Sequence, residues 1–311
     1  VDLPMLHLGG WFDPYLRGTL RLYQTLAGQG LSPQHLHIGP WAHLPWSRRV
    51  GARDFGPEAA SSVDALQLRW FDHFLKGRDT GLLQEAPVQL FELGRNRWRE
   101  FTTWPGAAPI PVYNLHSKGL ASLREAAGQL CRQPAPPGED VLVHDPWRPA
   151  PALGGHAAVP AGCFERSTLD ARSDVLTYTT ELLAQPLAWA GVAIAELSLD
   201  TEARSFDLCA VLAVVQSDGQ VFNLCQGYMT VSQPTAAPIR LPLQACCAQL
   251  ETGQRLRLSL SAACFPAYPV NPGTGVPPSQ ADPFEAQIIT LRFHWDRLRP
   301  ARLWLPLVAA D

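Results

Sequence analysis

Two short apolar runs near the start of the chain, each ending in a turn that carries one ionisable side chain, constrain the fold more than anything else in the sequence. The first is Leu3-Pro4-Met5-Leu6-His7-Leu8, which runs into Gly9-Gly10-Trp11-Phe12-Asp13. The second is His35-Leu36-His37-Ile38, which runs into Gly39-Pro40-Trp41-Ala42-His43. Between them Leu16, Leu20, Tyr23 and Leu26 recur at the three-to-four spacing of a helix buried on one side, which predicts a helix over 16–27. Strand, Asp, helix, strand, His is one parallel α/β unit, with both ionisable residues at the carboxyl ends of strands.

That arrangement has a chemical reading. An imidazole that meets a buried carboxylate at one rim of a sheet can take a proton from a nucleophile and return it to a leaving group. Asp13 is the candidate acid that orients the imidazole, and His43 the candidate general base. In serine hydrolases of α/β architecture the chain order is Ser, Asp, His. Here the last two follow in that order, but no serine from Ser32 to Ser279 stands in a Gly-x-Ser-x-Gly setting. The expectation is that the nucleophile comes from outside these 311 residues. A partial α/β sheet also leaves an open edge and a bare apolar face, to be covered by the missing amino-terminal part of that domain or by self-association.

Trp11 and Trp41 flank the pair and are candidates for lining a substrate pocket; Tyr15 and Arg17 are candidates for the site mouth. His35 and His37, two apart on one strand face, have a spacing that suits zinc. No third ligand lies at useful spacing, so neither a metal nor a cofactor is expected.

Residues 1–84 read as the carboxy-terminal part of an α/β domain. Within it Ser62 caps a helix that carries Val63, Leu66, Trp70, Phe71 and Phe74 on one face and stops at Gly77, with Asp72 and His73 on a solvated side. From Ala86 the texture changes to short strands. Expected strands are Val88 to Leu93, Val112 to Leu115, Asp174 to Thr180, Gly191 to Leu199, Cys209 to Gln216, Gly219 to Thr230, Arg255 to Ser261 and Ile288 to Phe293, with Asp218-Gly219 as a hairpin turn. Strands at this spacing with little helical periodicity predict a β-sandwich, a jelly roll, over 85–311. In such a sandwich the exposed faces of Trp98, Trp104, Trp147 and Trp189 could bind sugar, although core packing suits them better.

A formal charge of −3 argues against nucleic acid or an anionic membrane as partner, and no apolar run is long enough for a membrane-spanning helix. Seven cysteines, an odd count without a Cys-x-x-Cys pair, read as reduced core residues of a cytoplasmic protein.

Four motifs then carry a resemblance. Gly-Gly-Trp-Phe-Asp, Gly-Pro-Trp-Ala-His, Arg-Trp-Phe-Asp-His-Phe-Leu-Lys-Gly (69–77) and Phe-Pro-Ala-Tyr-Pro-Val-Asn-Pro-Gly-Thr-Gly (265–275) resemble, in matching order, the X-Pro dipeptidyl-peptidase and cocaine esterase family of α/β-hydrolases. The resemblance implies an α/β-hydrolase remnant followed by a jelly-roll, galactose-binding-like domain. It implies that Asp13 is the acid and His43 the base of a triad acting on a small ester or peptide bond. The family's nucleophile and oxyanion-hole groups fall in a part of the domain this chain does not contain. A non-catalytic binding or assembly module is the alternative. Asp170, Arg172 and Asp174 resemble a family segment at the start of a core strand and are expected to form an ion-pair set; Asn271 lies in a family loop whose usual Arg is Val270 here.

Overall fold

The computed structural model describes residues 2–310 apart from 107, 125 and 135. The two apolar runs are parallel neighbours, β1 (Met5–Phe12) and β2 (Gln34–Ala42), in register from Met5↔Gln34 to Gly10↔Gly39 and joined by α1 (Leu16–Ala27). Helix α1 lays Leu16, Leu20 and Tyr23 on the sheet, as its spacing predicts, and leaves Leu26 half-buried. A hairpin of β3 (Arg49–Val50) and β4 (Arg53–Asp54) follows, then α2 (Val63–Lys76). Next, β5 (Val88–Glu92) adds to β2 in parallel and β6 (Arg97–Phe101) folds back on β5, so the sheet order is β1-β2-β5-β6. This sheet therefore crosses the division expected at residue 84. Val88, Leu90 and Phe91 are fully buried, and a short, wholly buried apolar run reads alike in a parallel sheet and in a sandwich.

Helix α2 ends as expected, at Gly77 in the left-handed region (φ 64°), whose N–H bonds to the His73 carbonyl. Its start differs. Ser62 makes no capping bond, and it is the Ser61 hydroxyl that accepts from the Val63 N–H, at 3.4 Å. Phe71 is not on the buried face either. Val63 and Trp70 are buried, with Leu66 and Phe74 half-buried beside them, whereas Phe71 lies about 100° round the helix from Trp70. It joins Leu68 and Leu75 in an exposed apolar stripe. Asp72 is solvated, paired with Lys76 and Arg78.

An eleven-stranded sheet folds over as the jelly-roll sandwich. Its strands are β7 (Ile110–His116), β8 (Gln129–Cys131), β9 (Gly138–His144), β10 (Val175–Thr179), β12 (Ile194–Asp200), β13 (Phe206–Val215), β14 (Val221–Val231), β15 (Ile239–Pro242), β17 (Arg255–Ser261), β18 (Ile289–Trp295) and β19 (Arg302–Leu305), with a one-turn helix, α3 (Ser167–Asp170), ahead of β10. They run in the order β14-β13-β17-β10-β8-β7-β19-β12-β18-β9, with β15 on β12. Every strand expected from the sequence is present, and Asp218-Gly219 turns β13 into β14. A separate ribbon of β11 (Leu187–Gly191) and β16 (Cys246–Leu250) reaches the α/β sheet: the Leu93 N–H donates to the Cys247 carbonyl and the Gln249 N–H to the Leu93 carbonyl, both at 2.9 Å. One apolar core consequently runs from Trp11 through Trp189 to Leu305, so the two parts share an interior. Six of the seven cysteines are buried and Cys131 is half-buried. Among the described residues no helix is long and apolar enough to cross a membrane.

Candidate active site

The site begins with a glycine. A Cβ on Gly10 would fall 2.1 Å from the Trp41 carbonyl oxygen, so only glycine lets β1 approach β2 this closely. Beyond Gly10 the register breaks, Phe12 pairing with Ala42, and the chain turns: the Asp13 N–H bonds back to the Gly10 carbonyl at 3.1 Å. Asp13 is thereby placed at the end of β1 and His43 one residue after β2.

The two side chains meet. His43 Nδ1 lies 3.1 Å from Asp13 Oδ2, and the Tyr15 N–H donates to Asp13 Oδ1 at 2.8 Å. Asp13 is buried, while the His43 side chain is 56% exposed. An ionised carboxylate only accepts, so the contact assigns the proton to Nδ1 and leaves the Nε2 lone pair free as a base. The Tyr15 ring packs edge-on against the imidazole, centroids 4.9 Å apart.

Trp11 and Trp41 do not line a pocket. They are 2% and 0% exposed, and each indole N–H is committed to a backbone carbonyl, Trp11 to Phe91 at 2.7 Å and Trp41 to Ala59 at 2.8 Å. A bulky ring at a strand end has its apolar area in the interior and its one donor satisfied there, so these residues brace the rim from beneath. Gln244, on the far side of the sandwich in sequence, reaches the Asp13 turn and carried no sequence signal.

His35 and His37 share a face, as their spacing predicts, but pack against aromatics. His35 meets Trp70 edge-on at 5.4 Å, and His37 stacks on Trp98 at 4.1 Å with Nδ1 3.0 Å from Gln89 Oε1. Among the described residues no group of three or more His, Cys, Asp or Glu side chains converges as a metal site. Burial lowers the His37 pKa from 6.5 to about 4. Its folded pKa lies below its unfolded one, so the unfolded chain binds the extra proton. The associated stability is complete above about pH 6.5 and is lost as pH falls towards 4, a swing of roughly 3 kcal/mol. His35, His144 and His156 are shifted in the same direction by burial. Urea titrations at a series of pH values should show a weaker acid loss in His37→Leu than in the parent; identical profiles would contradict this account.

In the sandwich the expected set of three splits in two. Arg172 pairs with its neighbour Asp174 at 2.7 Å near the surface, whereas Asp170 turns inward to Arg166 and Arg257. Asn271 is buried and staples its loop, donating to Asp207 Oδ1 at 3.1 Å and accepting from Ser205 Oγ at 2.8 Å. Of the four tryptophans weighed for sugar binding, Trp189 is fully buried and Trp98 and Trp104 are partly so. Trp147 is 56% exposed beside Phe284.

Residues 80–294 match the X-Pro dipeptidyl-peptidase C-terminal non-catalytic domain, and residues 1–45 match the X-Pro dipeptidyl-peptidase (S15) family. A cocaine esterase of Rhodococcus sp. (strain MB1 Bresler) is 28% identical over 98% of this chain and 56% of its own. An aminopeptidase structure from a marine sediment Thaumarchaeota archaeon superposes with TM-score 0.83 at 24% identity, over 99% of this chain and 55% of that one. An α-amino acid ester hydrolase does so with TM-score 0.80 at 22% identity, over 98% and 56%. The chain thus spans about half the length of these relatives.

Proposed function

The chain belongs to the X-Pro dipeptidyl-peptidase family of serine hydrolases, and from that premise we propose that it supplies the acid and the base of an acyl-transfer site whose serine comes from outside these 311 residues. The observation that carries the proposal is the Asp13–His43 contact with Nε2 left free. His43 Nε2 takes the proton of a serine hydroxyl as that oxygen attacks an ester or amide carbonyl. It then returns the proton to the departing alcohol or amine, and the acyl-enzyme is hydrolysed by water activated in the same way. Asp13 stabilises the imidazolium formed between the two transfers and holds the ring in its productive tautomer.

Two features support a contribution from further polypeptide. Among the described residues β1 stands at the edge of its sheet with β2 as its sole strand neighbour, and α2 presents Leu68, Phe71 and Leu75 to solvent. A fluorophosphonate probe tests the reading. It should label one serine in the longest polypeptide encoded in frame with this sequence, and that labelling should disappear when His43 is replaced by Ala. A polypeptide that stays unlabelled would instead favour the binding-module alternative, for which the exposed Trp147–Phe284 pair is one candidate surface.

A further inference from the structure

The geometry points to Gln244, a residue of the sandwich, as the positioning residue that holds the Asp13 turn in place for His43. Gln244 lies between β15 and β16 and is 4% exposed. Its side-chain Nε2 donates to the Trp11 and Asp13 carbonyls, each at 3.0 Å. Both partners are acceptors, so only the NH2 end of the amide can face them, and both of its protons are used. The residue is itself anchored. Its own N–H donates to the Gln226 carbonyl of β14 at 2.8 Å, and the Leu243 N–H beside it donates to Ala193 at 2.9 Å.

The location gives this contact its meaning. The two carbonyls lie on either side of Phe12, where the β1–β2 register has broken and α1 has not yet begun. The Asp13 carbonyl also accepts from the Leu16 N–H at 3.3 Å, and the one Gln244 amide bridges it to the Trp11 carbonyl, tying the end of β1 to the turn from a separate element. A turn held at both ends cannot swing its carboxylate away from an imidazole, and a displacement of about 1 Å in such a pair costs on the order of 10²-fold in rate. The family's non-catalytic domain therefore helps to set the geometry of the acid. This inference rests on the acyl-transfer reading above.

The test has two arms. In the 311-residue chain, two-bond proton–nitrogen correlations of the His43 ring, identified by their loss in His43→Gln, report which nitrogen carries the proton when the ring is neutral. The parent should hold the Nδ1–H form; Gln244→Met, similar in shape but without a donor, should mix in the Nε2–H form. Gln244→Asn keeps the amide but loses reach, and decides the matter if the Met variant does not fold. In the longest polypeptide encoded in frame, a folded Gln244 variant should lose about 10–100-fold in kcat for an acetyl ester with KM little changed. An unchanged tautomer and kcat in a folded variant would overturn the inference. Altered tautomer in a polypeptide that hydrolyses nothing would sink the acyl-transfer reading and leave the positioning of the pair standing.

Discussion

Asp13→Asn, made in the polypeptide that carries the nucleophile, is expected to lower kcat for ester hydrolysis by about 10⁴-fold, and His43→Ala by at least as much. Asn keeps the shape of the buried side chain and can still accept the Tyr15 N–H through Oδ1. What it loses is the charge, together with the preference for a proton on Nδ1: an amide N–H facing the ring selects the opposite tautomer and points the Nε2 proton where the serine proton must go. The defect lies in the chemical step, so KM for a small acetyl ester should move far less than kcat. The two residues act as one unit, and the double variant should therefore be no worse than the poorer single one. A loss below about tenfold in Asp13→Asn would remove the carboxylate from the mechanism, since among the described residues Asp13 is the acid that contacts His43 Nδ1.

How much of this was legible depends on how local the cause is. The Asp13–His43 pair spans thirty residues and is encoded by strand, helix, strand periodicity, each piece of which is readable from its own side chains. The bounds of α1 follow from its apolar spacing for the same reason. Gln244 stands 231 residues from Asp13, in a run whose composition says nothing about the far end of its amide, and nothing local distinguishes it from any buried Gln. The ribbon of β11 and β16 was hidden likewise: Cys246-Cys247 read as two apolar residues, not as the segment that joins the α/β sheet to the sandwich. Trp11 and Trp41 sit where the sequence places them, but which way a ring turns is decided by the Phe91 and Ala59 carbonyls of other elements.

The largest stability effect is expected at Asp170. Its Oδ1 accepts from Arg166 Nη2 at 2.8 Å and from Ser259 Oγ at 2.9 Å, and its Oδ2 accepts from Arg257 Nη1 at 3.2 Å. The Arg166, Asp170 and Arg257 side chains are 4%, 1% and 3% exposed. One carboxylate thus sits between two guanidinium groups in a nearly dry interior, where removing a single partner of a buried pair costs about 3–5 kcal/mol. Asp170→Ala removes the carboxylate that the two guanidinium groups share, so urea unfolding should lose that much without a change in slope. The adjoining cavity of about 20 Å³, lined in part by Arg166, Ser259 and Ser261, has room for a single water, too little to rehydrate two guanidinium groups. Asp72→Asn, which breaks the exposed pairs with Lys76 and Arg78, should leave the midpoint where it is. Equal effects from the two substitutions would mean that the interior around Asp170 is far wetter than its packing implies. The buried cluster of Arg166, Asp170 and Arg257 allows a sharper test. Replacing Arg166, Asp170 and Arg257 together by apolar residues of similar volume should cost less than Asp170→Ala alone, because it removes the two buried cations along with their shared carboxylate.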